Sequence, residues 1–254
     1  MAETGRYLYA ITRDVDHYVL DHLPALGEGR LEVVEQHGLS AVVSTVGLDE
    51  YGEEGLTRNL ERLEWLEEVA RCHDTVVQAM AAIGPTAPLR LATICLDDAA
   101  VRHRLDEWYP ALQQALDRVE GRMEWSVKAF APARPAAPTT GEPDEPVGGA
   151  EYLRRKKAQT EARHADTEQA MRAADEVHDA LARASVASRR LPAQDPRLTG
   201  HDREMLLNGA YLVEIAQESA FTDVVQELAN AHPELGLSCG GPWAAYSFAT
   251  LEQR

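Results

Sequence analysis

Apolar positions along the chain alternate between two periods, one suited to strands and one to helices. Tyr7-Leu8-Tyr9-Ala10-Ile11 is aromatic and aliphatic throughout, which predicts a buried strand; Asp14 to Leu23 is read as a short helix closed by Pro24. Leu31 to Glu35 and Ser40 to Val46 flank Gln36-His37-Gly38, a pattern that predicts a β-hairpin with a tight turn. From Leu56 the apolar residues fall at Leu60, Leu63, Leu66, Val69, Val76, Met80 and Ile83, a three-and-four spacing that draws one face of a helix ending at Gly84-Pro85. Leu89 to Leu96 reads as a strand. Asp97-Asp98 then caps a helix running toward Glu120, with a kink or break expected at Pro110. Met123 to Phe130 alternates as a strand.

Residues 132–149 carry Pro132, Pro135, Pro138, Pro143 and Pro146 with little that could be buried, which predicts a stiff linker. The expected layout is an N-terminal α+β domain at 1–131, this linker, and a second α+β domain at 150–254. The second domain opens with one long helix from Tyr152 to about Ala187. Its composition favours helix, but its apolar stripe (Leu153, Ala162, Met171, Ala174, Val177, Leu181) is thin, so much of it is expected to be exposed. Arg203 to Ile215 predicts a central strand, Phe221 to Ala231 a helix, and Leu235 to Phe248 a last extended stretch through Gly240-Gly241-Pro242. The fold class is therefore α+β, with two domains, each a small mixed or antiparallel sheet with helices packed on it.

Composition narrows the function classes. The 254 residues are 44% hydrophobic and 26% charged, which is globular, and the net charge of −17 falls mostly before residue 132. An acidic body repels phosphate backbones, so nucleic acid is not an expected partner. Cys72, Cys95 and Cys239 are odd in number and far apart, forming neither a disulfide framework nor a metal clip, which suits a reducing cytoplasm. The N-terminus does not read as a signal peptide, and no apolar run approaches the roughly 20 residues of a membrane span.

Candidate chemistry is sparse. Cys72-His73-Asp74 sets a thiol, an imidazole and a carboxylate side by side, yet neighbours on a helix point apart; the expected arrangement is Cys72 buried, His73 at the rim and Asp74 solvated. His17 with His22, and His201 with Asp202, show no metal-ligand spacing. Gly27-Glu28-Gly29 and Gly240-Gly241 lack the strand-to-helix context of a phosphate cradle. Arg154-Arg155-Lys156-Lys157 is a run of cations that could dock an acidic partner, although a helix spreads such a run around its axis. Glu61, Glu64, Glu67 and Glu68 read as a wet helix face. Gly241-Pro242-Trp243-Ala244-Ala245-Tyr246-Ser247-Phe248 is the most unusual segment. In a regular strand Tyr246 and Phe248 would share the core face, leaving Trp243 as the candidate interface residue.

That segment resembles the C-terminal signature of the GvpF/GvpL family of gas-vesicle proteins, close to GPWPPYSF, with Ala244-Ala245 where the family has prolines. Tyr7 to Ile11 agrees, as do Pro88-Leu89-Arg90-Leu91-Ala92-Thr93, similar to PLRFGT, and Leu206-Leu207-Asn208-Gly209-Ala210-Tyr211-Leu212-Val213. The departures are Leu91-Ala92 for Phe-Gly and the two alanines. The resemblance implies an accessory protein of cytoplasmic gas vesicles that binds the shell protein GvpA, alone or with other accessory proteins, and assists shell nucleation and assembly. It also implies ferredoxin-like features. It carries over no cofactor, metal or catalytic residue, and the chain is read as a non-enzyme. The alternatives are a ligand-binding or enzymatic ferredoxin-like module, which would need a pocket with convergent polar groups, and a nucleic-acid chaperone using Arg154 to Lys157.

Overall fold

The computed structural model describes residues 3–27, 29–132, 149–195 and 203–249. Packing divides the chain into two compact units, Met1–Glu124 with Gly241–Arg254, and Trp125–Gly240. The expected linker lies largely at 133–148, outside the described residues.

The first unit is organised by β1 (Thr4–Thr12). Residues 7–12 are all buried, because β1 packs against both α4 (Leu63–Ile83) and α5 (Asp98–Val119). Continuous apolar character is what a strand covered on both faces requires. β1 pairs antiparallel with β3 (Leu39–Gly47), which pairs antiparallel with β2 (Glu32–Gln36) through the expected hairpin; His37 and Gly38 take positive φ at its turn. On its other edge β1 pairs with β4 (Thr86–Pro88) and β5 (Ile94–Cys95), giving the order β2-β3-β1-β4. Arg6 ties this sheet to α5: its Nε donates to Asp98 (2.7 Å) and its Nη1 to Glu32 (2.8 Å) and Thr45 (2.6 Å).

Several expected elements differ in detail, each for a local reason. The first helix shrinks to α1 (His17–Leu20), capped by Asp16. The helix expected from Leu56 divides into α3 (Glu53–Asn59) and α4, after an unforeseen turn of helix, α2 (Leu48–Tyr51). The break at 60–62 moves Leu60 and Leu63 outward, Leu63 being 78% exposed. The buried stripe is instead Trp65, Val69, His73, Val76, Val77 and Met80. Helix α5 runs unbroken through Pro110. Pro110 lies on the exposed side of the helix, while Leu105, Leu112 and Leu116 are buried.

The strand expected at Leu89–Leu96 is interrupted. Ala10 pairs with Pro88 and Tyr7 with Ile94, so Leu8 and Tyr9 of β1 face all of 89–93. Hydrogen bonds from Leu89 N to Tyr9 O (3.0 Å) and from Leu8 N to Thr93 O (2.9 Å) close the bulge at both ends. Ala92 within it has φ of 61°, at the position where the family resembled above carries glycine.

The second unit takes β6 (Arg122–Phe130) from Trp125 on, α6 (Gly149–Arg183), β7 (Ala187–Arg190), β8 (Met205–Glu214), α7 (Glu218–Ala231) and β9 (Gly236–Trp243) as far as Gly240. Its sheet order, β7-β8-β6-β9, with this strand–helix–strand–strand–helix–strand succession, is the ferredoxin-like split arrangement. The first unit repeats the same order over β1 to β4, with little more than α1 in its first crossover. Trp125, Val127 and Ala129 of β6 and Leu207, Tyr211 and Val213 of β8 share a core with α6 and α7, so both helices cover one face. The α6 stripe in that core is Ala170, Ala173, Ala174, Val177 and Leu181; Met171, expected inward, is exposed. Gly209 is required beneath Tyr211, whose hydroxyl oxygen would lie 2.5 Å from any Cβ placed there, and that hydroxyl meets His178 Nδ1 at 2.9 Å.

Left-handed backbone costs a non-glycine residue roughly 1–2 kcal/mol, partly offset by the greater freedom glycine has when unfolded. Ala92→Gly is therefore expected to raise unfolding stability by about 0.5–1 kcal/mol in denaturant titrations; an equal loss would mean that Ala92 makes contacts worth more than the strain.

Candidate functional site

The Cys72-His73-Asp74 triplet sits on α4 facing β1, and its burial is the reverse of the expected one. His73 is only 3% exposed, while Cys72 is half-buried. His73 belongs to the buried stripe because it follows Val69 by four residues and precedes Val76 by three. Its Nε2 lies 3.2 Å from Leu89 O, which can only accept, so Nε2 carries the hydrogen. Nδ1, 2.9 Å from the Tyr7 hydroxyl, is then the acceptor; the same hydroxyl accepts from Ala92 N at 3.2 Å. Tyr9 has its own partners, accepting from Leu26 N (2.8 Å) and donating to Ser44 (2.9 Å), whose hydroxyl donates to Leu26 O (2.8 Å).

Burial pushes the His73 imidazole down to about 4 and the Tyr9 hydroxyl up to about 12, and raises Cys72 above the usual thiol range. Both imidazole nitrogens are occupied, so neither is available to take a proton from Cys72, and the thiolate is disfavoured. This cluster anchors the 89–93 bulge.

The aromatic C-terminal segment does not continue as a strand. β9 ends at Trp243, and Tyr246–Ala249 forms a helical turn, α8, packed on α5 and β4 in the first unit. The buried Glu124 carboxylate, 8% exposed, accepts from both Ser247 N and Ser247 Oγ at 2.7 Å. Ala244 N donates to Gln78 Oε1 (2.9 Å), the Tyr246 hydroxyl donates to Asp74 (3.4 Å), and Arg118 reaches Phe248 O (3.4 Å). Ala244, Ala245, Phe248 and Ala249 are buried. Sequence periodicity missed this clasp because its donors and acceptors come from positions over a hundred residues apart. Trp243, immediately before it, remains 45% exposed on a backbone pinned at the next residue.

Of the cationic run on α6, Arg154 and Lys157 are exposed; the side chains of Arg155 and Lys156, like His201 and Asp202, lie outside the described residues. Trp243 and this run lie in different units. At the β2–β3 turn a shallow depression of about 350 Å³ is lined by Arg13, Gln36, His37 and Ser40, among others. Two of its lining residues are already partnered, His37 with Asp106 (3.1 Å) and Arg13 with Asp117 (2.6 Å), while Glu35 also lines it. Among the described residues no group of His, Cys, Asp and Glu is arranged to hold a metal, and no helix is long and apolar enough to cross a membrane.

Two measurements test these clusters. Because the folded pKa of His73 lies below its unfolded value of 6.5, the unfolded chain binds more protons between the two. The stability at stake is thus fully present above about pH 6.5 and lost as pH falls toward 4, by about 3 kcal/mol. His73→Gln should show a correspondingly smaller loss than wild type over that window in denaturant titrations. Glu124→Ala should cost about 2–3 kcal/mol and expose 241–249 to limited proteolysis; unchanged protection there would refute the clasp.

Comparison with known proteins follows the same architecture. A family model described as gas vesicle synthesis protein GvpL/GvpF matches residues 5–250. Gas vesicle protein L of Streptomyces sp. (strain CB03234) is 34% identical over 251 residues, 98% of this chain and 94% of that protein. Gas vesicle protein F2 of Halobacterium salinarum is 26% identical over 257 residues, covering 99% and 94%. Among solved structures, GvpF from Anabaena sp. PCC7120 superposes with a TM-score of 0.68 at 18% identity, covering 98% of each chain. GvpF from Microcystis aeruginosa gives 0.67 at 17%, covering 97% of this chain and 99% of that one. Near-complete coverage by the family model and by relatives in sequence makes the chain a member of the GvpL/GvpF family of gas vesicle synthesis proteins.

Proposed function

We propose that this protein acts in gas vesicle assembly, in the cytoplasm and at the growing vesicle, by binding the shell protein GvpA without covalent chemistry, assisting shell nucleation and assembly. The observation that carries the reading is Trp243: a large aromatic, 45% exposed, on a backbone held in place by the buried segment that follows it. A half-exposed indole that is already ordered loses little freedom on docking and offers an apolar anchor to a partner with apolar surface. The net charge of −17 supports the role, since an acidic carrier stays dispersed while it holds an apolar subunit. Arg154, Arg155, Lys156 and Lys157 on α6 provide a second, electrostatic contact for acidic groups on GvpA or on another assembly protein.

Purified protein is expected to bind GvpA, alone or with other accessory proteins, in calorimetry or co-sedimentation. Trp243→Ala should weaken binding by about 2 kcal/mol, roughly thirtyfold, and reversal of Arg154 and Lys157 to Glu should slow association mainly at low salt. Absence of binding by the wild-type protein under all these conditions would remove the proposal.

A further inference from the structure

The interrupted edge of the first sheet is costly to build, and every part of it is held in place. A regular strand at 86–95 would leave the edge ready for pairing with another chain; the bulge at 89–93 interrupts that edge and turns Arg90 out. Three polar contacts serve it, two of them buried: His73 Nε2 to Leu89 O, Tyr7 hydroxyl to His73 Nδ1, and the part-buried Ala92 N to the same Tyr7 hydroxyl. Leu89 is buried and Leu91 packs on the core, while Arg90 between them is exposed, and Thr93 Oγ1 donates to Arg90 O at 2.7 Å. Ala92 accepts left-handed backbone within this turn.

The side chain of Arg90 makes no hydrogen bond or ion pair among the described residues; the exposed Arg30 and Arg102 of the same unit show none either, but Arg90 is the one set in the bulge that the Tyr7 and His73 contacts hold. A guanidinium presented from a rigid turn, without an internal carboxylate, matches the planar geometry of a carboxylate on another polypeptide.

We propose that the 89–93 bulge is a recognition turn in which Arg90 binds an Asp or Glu carboxylate of a protein partner, with Tyr7 and His73 as the positioning residues that hold it. The inference rests on the reading that this protein works by binding a polypeptide of the shell assembly. The partner's side of the contact is acidic, so it is distinct from the apolar surface that Trp243 serves.

The test uses the full-length protein and purified GvpA, with folding of each variant verified by circular dichroism. Arg90→Glu should lower affinity about tenfold at low salt, and the difference should shrink as salt is raised. His73→Gln should weaken binding when Arg90 is present and add nothing in an Arg90→Ala background, a coupling that general loss of stability would not produce. Arg90→Lys, treated with a carbodiimide in the complex, should form an amide cross-link from position 90 to a carboxylate of GvpA, located by mass spectrometry. Wild-type binding that Arg90→Glu leaves unchanged would overturn the role of Arg90 and leave the proposed function standing. No binding by wild type would overturn both.

Discussion

Covering β1 on both faces is the constraint on which the first unit depends. A strand buried on both sides must be apolar, yet this one carries the hydroxyls of Tyr7 and Tyr9 into the core, where each would be destabilising without a partner. Their partners come from far along the chain: His73 on α4, Ser44 on β3, and the backbone of Leu26 and Ala92. The hydroxyls therefore do more than satisfy themselves. They fix the loop before β2 and the bulge after β4, and so convert burial, which has no direction, into specific positions for two surface segments.

The same logic closes the C-terminal end. Glu124 is buried, and the two donors of Ser247 offset the desolvation of its carboxyl group. The most recognisable motif in the sequence thus serves mainly as a clasp within the first unit, with Pro242 and Trp243 exposed at its entrance. A diagnostic motif and a binding site need not coincide: packing constrains Ala244, Ala245 and Phe248, while the exposed tryptophan beside them carries the potential for contact. The Leu206–Val213 motif behaves likewise, with Gly209 making room for the ring of Tyr211.

Under the proposed function, the contacts to a partner fall at the margins of each unit: the interrupted edge and its Arg90 in the first, the α6 cations in the second. Surfaces of that kind suit recognition of another polypeptide, whose affinity comes from a few ordered anchors.

Period and composition alone determined the α+β class, the hairpin at 32–47 and the long α6, because these depend on residues close together in sequence. The stripe on α4 was legible in kind but not in register, since the break at 60–62 shifted which residues faced inward. Only the tertiary structure decided that His73 is buried, that the edge strand is interrupted, and that 241–249 completes the first unit. Each of those outcomes rests on hydrogen bonds between residues tens to more than a hundred positions apart. A local pattern records which side chains prefer burial; it holds no information about which distant donor will meet which acceptor.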